Sequence, residues 1–450
     1  MMKKNSRGEL FGLHPLQILT LGYLLFTLLF TGLLMLPAAS VSRQPLSFAD
    51  ALFLSSSGIS TTGLVTIDPG SQLTLFGQIV LLLDFQIGGI GYMAFFVMLW
   101  SLMRRRLSIR EKMVGEESMA GAFQGGTRPF FIQVLLFTLV FEVAGGMLLG
   151  FCFLDPAAIG RSFYSGFFHS ISAFCTAGFS LYPDSLTRYQ YDVPVNLIIN
   201  LLSLAGGIGF IVMSDLTHFL RMRWRKGFCR KPLLHSRLAL ITTTAVVLGG
   251  TLLILFAKGW QEISWPKRLL LASFQVISAS TTDGYNTIDI GAMPPVTLAV
   301  IIVLMFVGAS PGSTGGGVKT TTLGVVLLAI RAQLQGHAEC NVFGRRIGSG
   351  DIARSFSIVI IALMVFFTVS FTLSLTEKGS LLQICFETMS ALGNTGLSMG
   401  ITSGLSAFAK ILLSLTMFIG RVGPLTIGMA FFEVKQPARI RFATEEIYVG

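Results

Sequence analysis

Eight predominantly apolar runs, beginning near Leu16, Leu73, Phe130, Val195, Leu238, Val296, Phe356 and Ala409, constrain this chain more than any other feature. Each extends for about 20 residues, the helix length that crosses the hydrocarbon core of a bilayer. Of the 450 residues, 52% are hydrophobic and only 12% charged, with a mean hydropathy of +0.72. That leaves too little polar surface to cover a soluble globule of this size, so the runs read as eight membrane spans. The basic start "MMKKNSRGEL" imitates a secretory signal. However, the run from Leu16 to Leu36 exceeds the roughly 7–15 residues of a signal core and reads as a retained first span.

A net charge of +11 would suit a nucleic-acid partner if the charges shared one surface. They are instead sorted by loop. Lys3, Lys4, Arg7, "RRRLSIREK", "RMRWRKGFCRK", Arg331, Arg345, Arg346, Arg354, Lys435, Arg439 and Arg441 fall in alternate loops. The opposite loops hold Arg43, Arg161, Arg188, Lys258, Lys267, Arg268 and Lys378. The excess is therefore a topology signal that predicts cytoplasmic termini and no nucleic-acid partner. Cys152, Cys175, Cys229, Cys340 and Cys385 form no CxxC pair and no metal-ligand spacing, which argues against a disulfide framework or a zinc site.

Four polar, glycine-bearing turns interrupt the apolar pattern: "FLSSSGISTTGLVTID", "FHSISAFCTAGFSLYPD", "FQVISASTTDGYNTID" and "FETMSALGNTGLSMGIT". Their glycines, Gly63, Gly178, Gly284 and Gly396, recur at a period of roughly 110 residues, each period holding two spans and one short segment. Ser47, Ser162 and Ser380 stand at one fixed distance ahead of three of them, and "SFAD" and "SLLQ" carry the partner of a capping box, so a helix is expected to start at each serine. From Ser47 to about Ser57 such a helix would have roughly ten residues and reach about half-way through a ~30 Å layer. It must then come back out. The expected fold is an all-α integral membrane protein of four fused span, pore-helix, span repeats: eight transmembrane helices and four re-entrant half-helices around a pseudo-fourfold pore. The repeats are 1–125, 126–232, 233–350 and 351–450.

The turns read "TTGL", "TAGF", "TDGY" and "NTGL". A cation that sheds its water needs several oxygen ligands, and successive carbonyls pointing one way supply them most densely. Glycine permits that backbone, and the C-terminal end of each half-helix favours a cation further. The predicted ion-binding residues are Thr61, Thr62 and Gly63; Cys175, Thr176, Ala177 and Gly178; Thr282, Asp283 and Gly284; and Asn394, Thr395 and Gly396.

These turns resemble, in order and position along essentially the whole chain, the filters of the Trk/Ktr/HKT potassium-transporter superfamily, and the chain looks most like the bacterial Ktr membrane subunit. The resemblance implies potassium uptake across a bacterial plasma membrane, with selectivity carried by one glycine per filter and sodium as a possible activator or co-ion. It also implies a homodimer and a cytoplasmic ring of nucleotide-binding RCK/KTN-type subunits, the nucleotide entering only through that partner. A Trk/HKT-like potassium and sodium symporter, or a less selective transporter, is the alternative within the superfamily. The third turn departs from many Ktr-type members, which carry an arginine there. Asp283 either raises cation occupancy at the surface or points behind the filter and accepts backbone N–H bonds.

Further glycine patches begin at Gly88, Gly206, Gly308 and Gly420. Gly89, Gly91 and Ala94 fit a dinucleotide pattern but lie within a membrane run; Gly312 to Lys319 nearly fits a P-loop but has Val318 ahead of the lysine. A helix break at mid-membrane is the better reading. Gly308, Gly312, Gly315, Gly316, Gly317 and Lys319 are read as a movable gate, with a static kink as the alternative. Arg421 matches the arginine that the family places below its fourth filter. Charges inside a bilayer cost about 2.5–3.5 kcal/mol on insertion scales unless paired or wetted, so Asp84, Glu142, Asp215 and Glu387 are candidate partners for Lys319 and Arg421. Asp68, Asp184 and Asp289 either gather cations at the mouth or form loop turns, and His169 reads as a packed core residue. "RMRWRKGFCRK" and "RRRLSIREK" either dock the partner or face anionic lipid. The sequence holds no HExxH, GxSxG or paired-acid constellation, which argues against an enzyme; an unrelated transporter with inverted repeats is disfavoured because all four turns run in one direction.

Overall fold

The computed structural model describes residues 15–91, 127–226, 231–257, 263–423 and 425–426. The basic segment "RRRLSIREK", Ala94, the first fourteen residues and the C-terminal Lys435, Arg439 and Arg441 lie outside them. Within the described residues the chain runs α1 (Pro15–Leu34), α2 (Phe48–Ile59) and α3 (Leu75–Ile90), then α4 (Thr127–Cys152), α5 (Ile159–Phe174), α6 (Val193–Ile208) and α7 (Phe210–Lys226). It continues with α8 (Leu234–Leu255), α9 (Trp265–Thr281), α10 (Pro295–Phe306) and α11 (Thr320–Leu334), then α12 (Ser349–Thr376), α13 (Leu381–Gly393) and α14 (Ala407–Val422). A two-stranded hairpin, Asn341–Val342 with Arg345–Arg346, stands between α11 and α12.

The architecture is mostly helical and that of a membrane protein. Among the described residues, three helices, 129–152, 234–255 and 349–376, are long and apolar enough to cross a bilayer unaided, and α6 meets α7 at a bend of 96° at Gly209. Several of the shorter apolar helices stop at a glycine before the sequence run does. Gly91, Gly209 and Gly423 end α3, α6 and α14 at φ of 92°, 96° and 95°. Hydroxyl groups within the apolar helices bond back along their own backbone: Thr27 donates to Tyr23 O at 3.0 Å and Thr31 to Thr27 O at 2.7 Å, so neither faces lipid unsatisfied.

The caps divide by residue. Ser47 accepts the Asp50 N–H and starts α2, and Ser380 forms a complete capping box with Gln383 at the start of α13. Ser162 does not cap α5. That helix begins earlier, after Ala158, and the Ser162 hydroxyl accepts the Asp155 N–H at 3.0 Å from inside it. The half-helices accordingly have 12, 16, 17 and 13 residues rather than ten.

Packing depends on small residues where helices meet. In α4, Gly146 and Gly150 form a GxxxG seam, and a Cβ on Gly166 of α5 would overlap the backbone of both. Across the chain, Lys410 of α14 bonds Asp50 of α2 at 2.7 Å with only 13% and 22% of the two side chains exposed, tying the last described helix to α2. Lys410→Met is expected to cost about 1–2 kcal/mol of stability, read as a lower unfolding temperature in detergent. Asp50→Asn should cost as much and the double variant no more; additive losses would show that the pair does not act as a unit.

Candidate functional site

The ends of α2, α5, α9 and α13 share one backbone solution. Two residues before each glycine the chain turns left-handed, at Thr61 (φ 53°), Thr176 (50°), Thr282 (61°) and Asn394 (52°). The glycines follow at 88°, 64°, 89° and 91° for Gly63, Gly178, Gly284 and Gly396, a region that an L side chain enters only at a cost. Between them, the N–H groups of Thr62, Ala177, Asp283 and Thr395 donate to the carbonyls of Ser57, Ser172, Ser278 and Ser390 at 2.8–2.9 Å. Each turn is thus locked to its own helix end. The four serines share one register ahead of the glycines, a regularity present in the sequence but not singled out from it.

The four turns are mutual neighbours in a closed order. A Cβ on Gly63 would overlap the carbonyl of Ala177; on Gly178, that of Asp283; on Gly284, that of Thr395; and on Gly396, that of Thr62. All four glycines also line one cavity of about 420 Å³, together with Asp68, Tyr182, Asn286 and Asp289. Cross-ties fix the ring. Tyr285 Oη donates to Phe179 O at 2.7 Å, and Asn394 Nδ2 donates to Thr62 Oγ1 at 3.0 Å and Met417 O at 2.8 Å.

Side chains around the ring mostly face away from its centre. Cys175 Sγ donates to Gln86 Oε1 at 3.3 Å, and the Gln86 amide donates to both oxygens of buried Glu142. Asp283, 1% exposed, takes the hydroxyl of Ser203 on α6 at 2.5 Å. It lies behind the turn, though its partner is a serine hydroxyl rather than backbone N–H groups. Glu387 on α13 accepts from the Met399 N–H at 2.9 Å and the Thr402 hydroxyl at 2.8 Å, holding the segment that re-emerges after Gly396.

The loop between α10 and α11 sits against the inner side of the turns. Its ends close on each other, Gly308 N–H to Val318 O at 2.9 Å. Thr314 is its hub: its carbonyl accepts from Thr61 Oγ1 at 3.0 Å, and its hydroxyl lies 3.1 Å from that of Thr176 and donates to Phe174 O. The Gly316 N–H donates to Thr282 Oγ1 at 3.0 Å, and a Cβ on Gly316 would overlap the Asn394 side chain. The loop therefore touches the left-handed residue of every turn. The sequence singles out the glycines around Thr314 and not the threonine itself; the hydroxyl pair Ser313 and Thr314 set among glycines in "GSTGGG" is the available signal.

The intramembrane bases contact carbonyls, which corrects the expectation of acidic partners. Lys319 Nζ donates to Gly315 O at 2.7 Å and Gly316 O at 3.3 Å, and Arg421 reaches Thr314 O and Gly88 O. Of the proposed acids, Asp84 lies against Gly58, Asp215 accepts the Leu233 N–H, and Glu142 and Glu387 are engaged as above. At the outer rim, Asp68 and Asp289 cap short helical turns. Burial opposes the charge of Asp184, but hydrogen bonds from Arg188 and Thr187 outweigh it and hold that carboxyl below its ordinary range. His169 is fully buried, between Ser165 O at 2.7 Å and Ser180 Oγ at 3.0 Å, and stacked on Tyr182.

Comparison with known proteins accords with this geometry. The family model TrkH, described as a cation transport protein, matches residues 16–440. Ktr system potassium uptake protein B of Bacillus subtilis is 34% identical over 442 residues, 97% of this chain and of that protein. Potassium/sodium uptake protein NtpJ of Enterococcus hirae is 31% identical over 460 residues, spanning all of both chains. The crystal structure of the potassium transporter TrkH from Vibrio parahaemolyticus matches with a TM-score of 0.69 at 19% identity, over 96% of this chain and 87% of that one. By family match and by full-length similarity, the chain belongs to the TrkH family of cation transport proteins.

Proposed function

We propose that this protein takes up potassium through one channel-like pore per chain, with the ion stripped of water by main-chain oxygens of the four turns. The closed succession of Gly63, Gly178, Gly284 and Gly396, each abutting the carbonyl before the next, carries the reading. It supports an eight-span, four-repeat arrangement around a pseudo-fourfold axis, with the repeats bounded as 1–125, 126–232, 233–350 and 351–450. Thr61, Thr62, Thr176, Ala177, Thr282, Asp283, Asn394 and Thr395 contribute backbone to the filter, and four helix C-termini of about −0.5 charge each favour a cation at its centre. A carbonyl ring selects by replacing the hydration shell of the ion. Thr61, Thr176 and Thr282 meet the loop through their side-chain oxygens, so their carbonyls remain for the ion. As a cation transporter of this family, the protein is not an enzyme.

The loop Gly308 to Lys319 is the gate, in a closed position. Gly308, Gly312 and Gly315 to Gly317 allow its path, the Lys319 ammonium ties it to itself, and Arg421 tethers Thr314 while placing positive charge below the filter. The similarity to Ktr system proteins supports a partner system: a homodimer with a cytoplasmic nucleotide-binding regulatory ring, in the plasma membrane of a bacterium, with both termini cytoplasmic. Sodium acts as activator or co-ion. The experiment is rubidium uptake into vesicles reconstituted with the purified chain and its regulatory ring. Uptake competed by potassium and only weakly by sodium is expected; vesicles that stay impermeable to rubidium would overturn the reading, and equal competition by sodium would favour the less selective transporter.

A further inference from the structure

We propose that α7 lies along the membrane surface on the side of the basic loops and binds the anionic phospholipid headgroups of that leaflet. The helix leaves α6 at 96°, so if α6 crosses the bilayer, α7 runs in its plane. Two of its sides are fixed. Ile211 and Val212 are buried, Ser214 donates to Gln133 of α4 at 3.0 Å, and Asp215 accepts the Leu233 N–H at 2.9 Å.

A third side is open and has the composition of an interfacial helix. Leu216, Leu220 and Trp224 follow at helical spacing, 41%, 48% and 92% exposed, and form one apolar stripe. Arg221 and Arg223, both exposed, flank it. Apolar side chains that enter the acyl boundary beside arginines that reach headgroup phosphates are what a surface-lying amphipathic helix requires, and tryptophan prefers that depth. The one acid of the helix, Asp215, is engaged with Leu233 and does not lie on the stripe. The sequence continues "RKGFCRK", which adds further positive charge to this segment, of the sign that an anionic lipid surface attracts. Charge and bend together favour lipid over the regulatory partner as the occupant.

The base of α7 also meets the loop. The Phe210 N–H donates to Gly312 O at 2.9 Å, and Ser310 N–H donates to Gly207 O at 2.9 Å. Headgroup binding that holds α7 in the surface would therefore bear on the loop, a clause that rests on the gating reading above.

The test uses the full chain in nanodiscs, as a variant that keeps Trp224 alone (Trp100→Phe, Trp260→Phe, Trp265→Phe), with brominated phosphatidylglycerol or brominated phosphatidylcholine as quencher. Phosphatidylglycerol is expected to quench at a lower mole fraction, and Arg221→Gln and Arg223→Gln should each weaken that preference roughly fivefold. Equal quenching by the two lipids would overturn headgroup binding. Absence of quenching by either, with Trp224 shielded only when the regulatory ring or a second copy is added, would make this a protein interface and overturn the proposal. Rubidium flux in phosphatidylcholine against mixed vesicles is a separate arm: unchanged flux alongside selective quenching removes the coupling to the loop and leaves the lipid site standing.

Discussion

Gly63→Ser is expected to raise the potassium concentration needed by an uptake-deficient host about tenfold and to lower discrimination against sodium. Two effects add. The φ of 88° at Gly63 is costly for any residue with a Cβ, about 1–2 kcal/mol, and that Cβ would overlap the carbonyl of Ala177. The carbonyl must turn or retreat, which removes a ligand from the first and second turns together. A change of about 1.4 kcal/mol in ion binding is a factor of ten. The measurements are potassium-limited growth and rubidium uptake with increasing sodium. Growth equal to the parent with unchanged sodium competition would show that Gly63 does not shape the filter. The ring predicts that Gly178→Ser, Gly284→Ser and Gly396→Ser share the sign, since each glycine abuts the next turn.

Deleting Ser313 to Gly316 is expected to raise rubidium flux through the chain alone, without its regulatory ring, by at least about tenfold. The deletion removes Thr314, which bonds the first and second turns, and the Gly316 N–H, which bonds the third. Charge-assisted bonds are worth about 1.5–3 kcal/mol each, so Arg421→Gln, which loses its contacts with Thr314 O and Gly88 O, should shift flux the same way by a smaller factor. Unaltered flux in the deletion would make the loop a static kink. Loss of flux in the deletion but not in Arg421→Gln would make the loop part of the filter support instead of its gate.

Much of this architecture was legible in the sequence because a bilayer forces few choices. Backbone polar groups must be satisfied internally, so apolar runs become helices, and a polar glycine-bearing turn among them becomes re-entrant or lines a water path. Ser47 and Ser380 announced two half-helices through local bonds between neighbours in the chain. Ser162 misled because the competing acceptor role, toward Asp155 N–H, depends on how the preceding turn folds back. The partners of Lys319 and Arg421 were misjudged for a related reason. Sequence displays carboxylates as charges and hides carbonyls, yet the oxygens of a glycine loop supply hydrogen-bond acceptors to Lys319 and Arg421 without a carboxylate. Ser203, eighty residues from Asp283, left no signal, since one serine on an apolar helix face is common.

What the sequence determined by itself was the solvent, the helical class, the period of four turns and the glycine in each, because these follow from hydropathy and from φ, which are properties of single residues and short spacings. The tertiary structure decided which turn neighbours which, that Asp283 faces Ser203, that Thr314 reaches the turns, and that α7 leaves α6 at close to a right angle. Those outcomes depend on contacts between residues from 80 to 332 positions apart, whose geometry is set by packing of whole helices and is encoded in no local pattern.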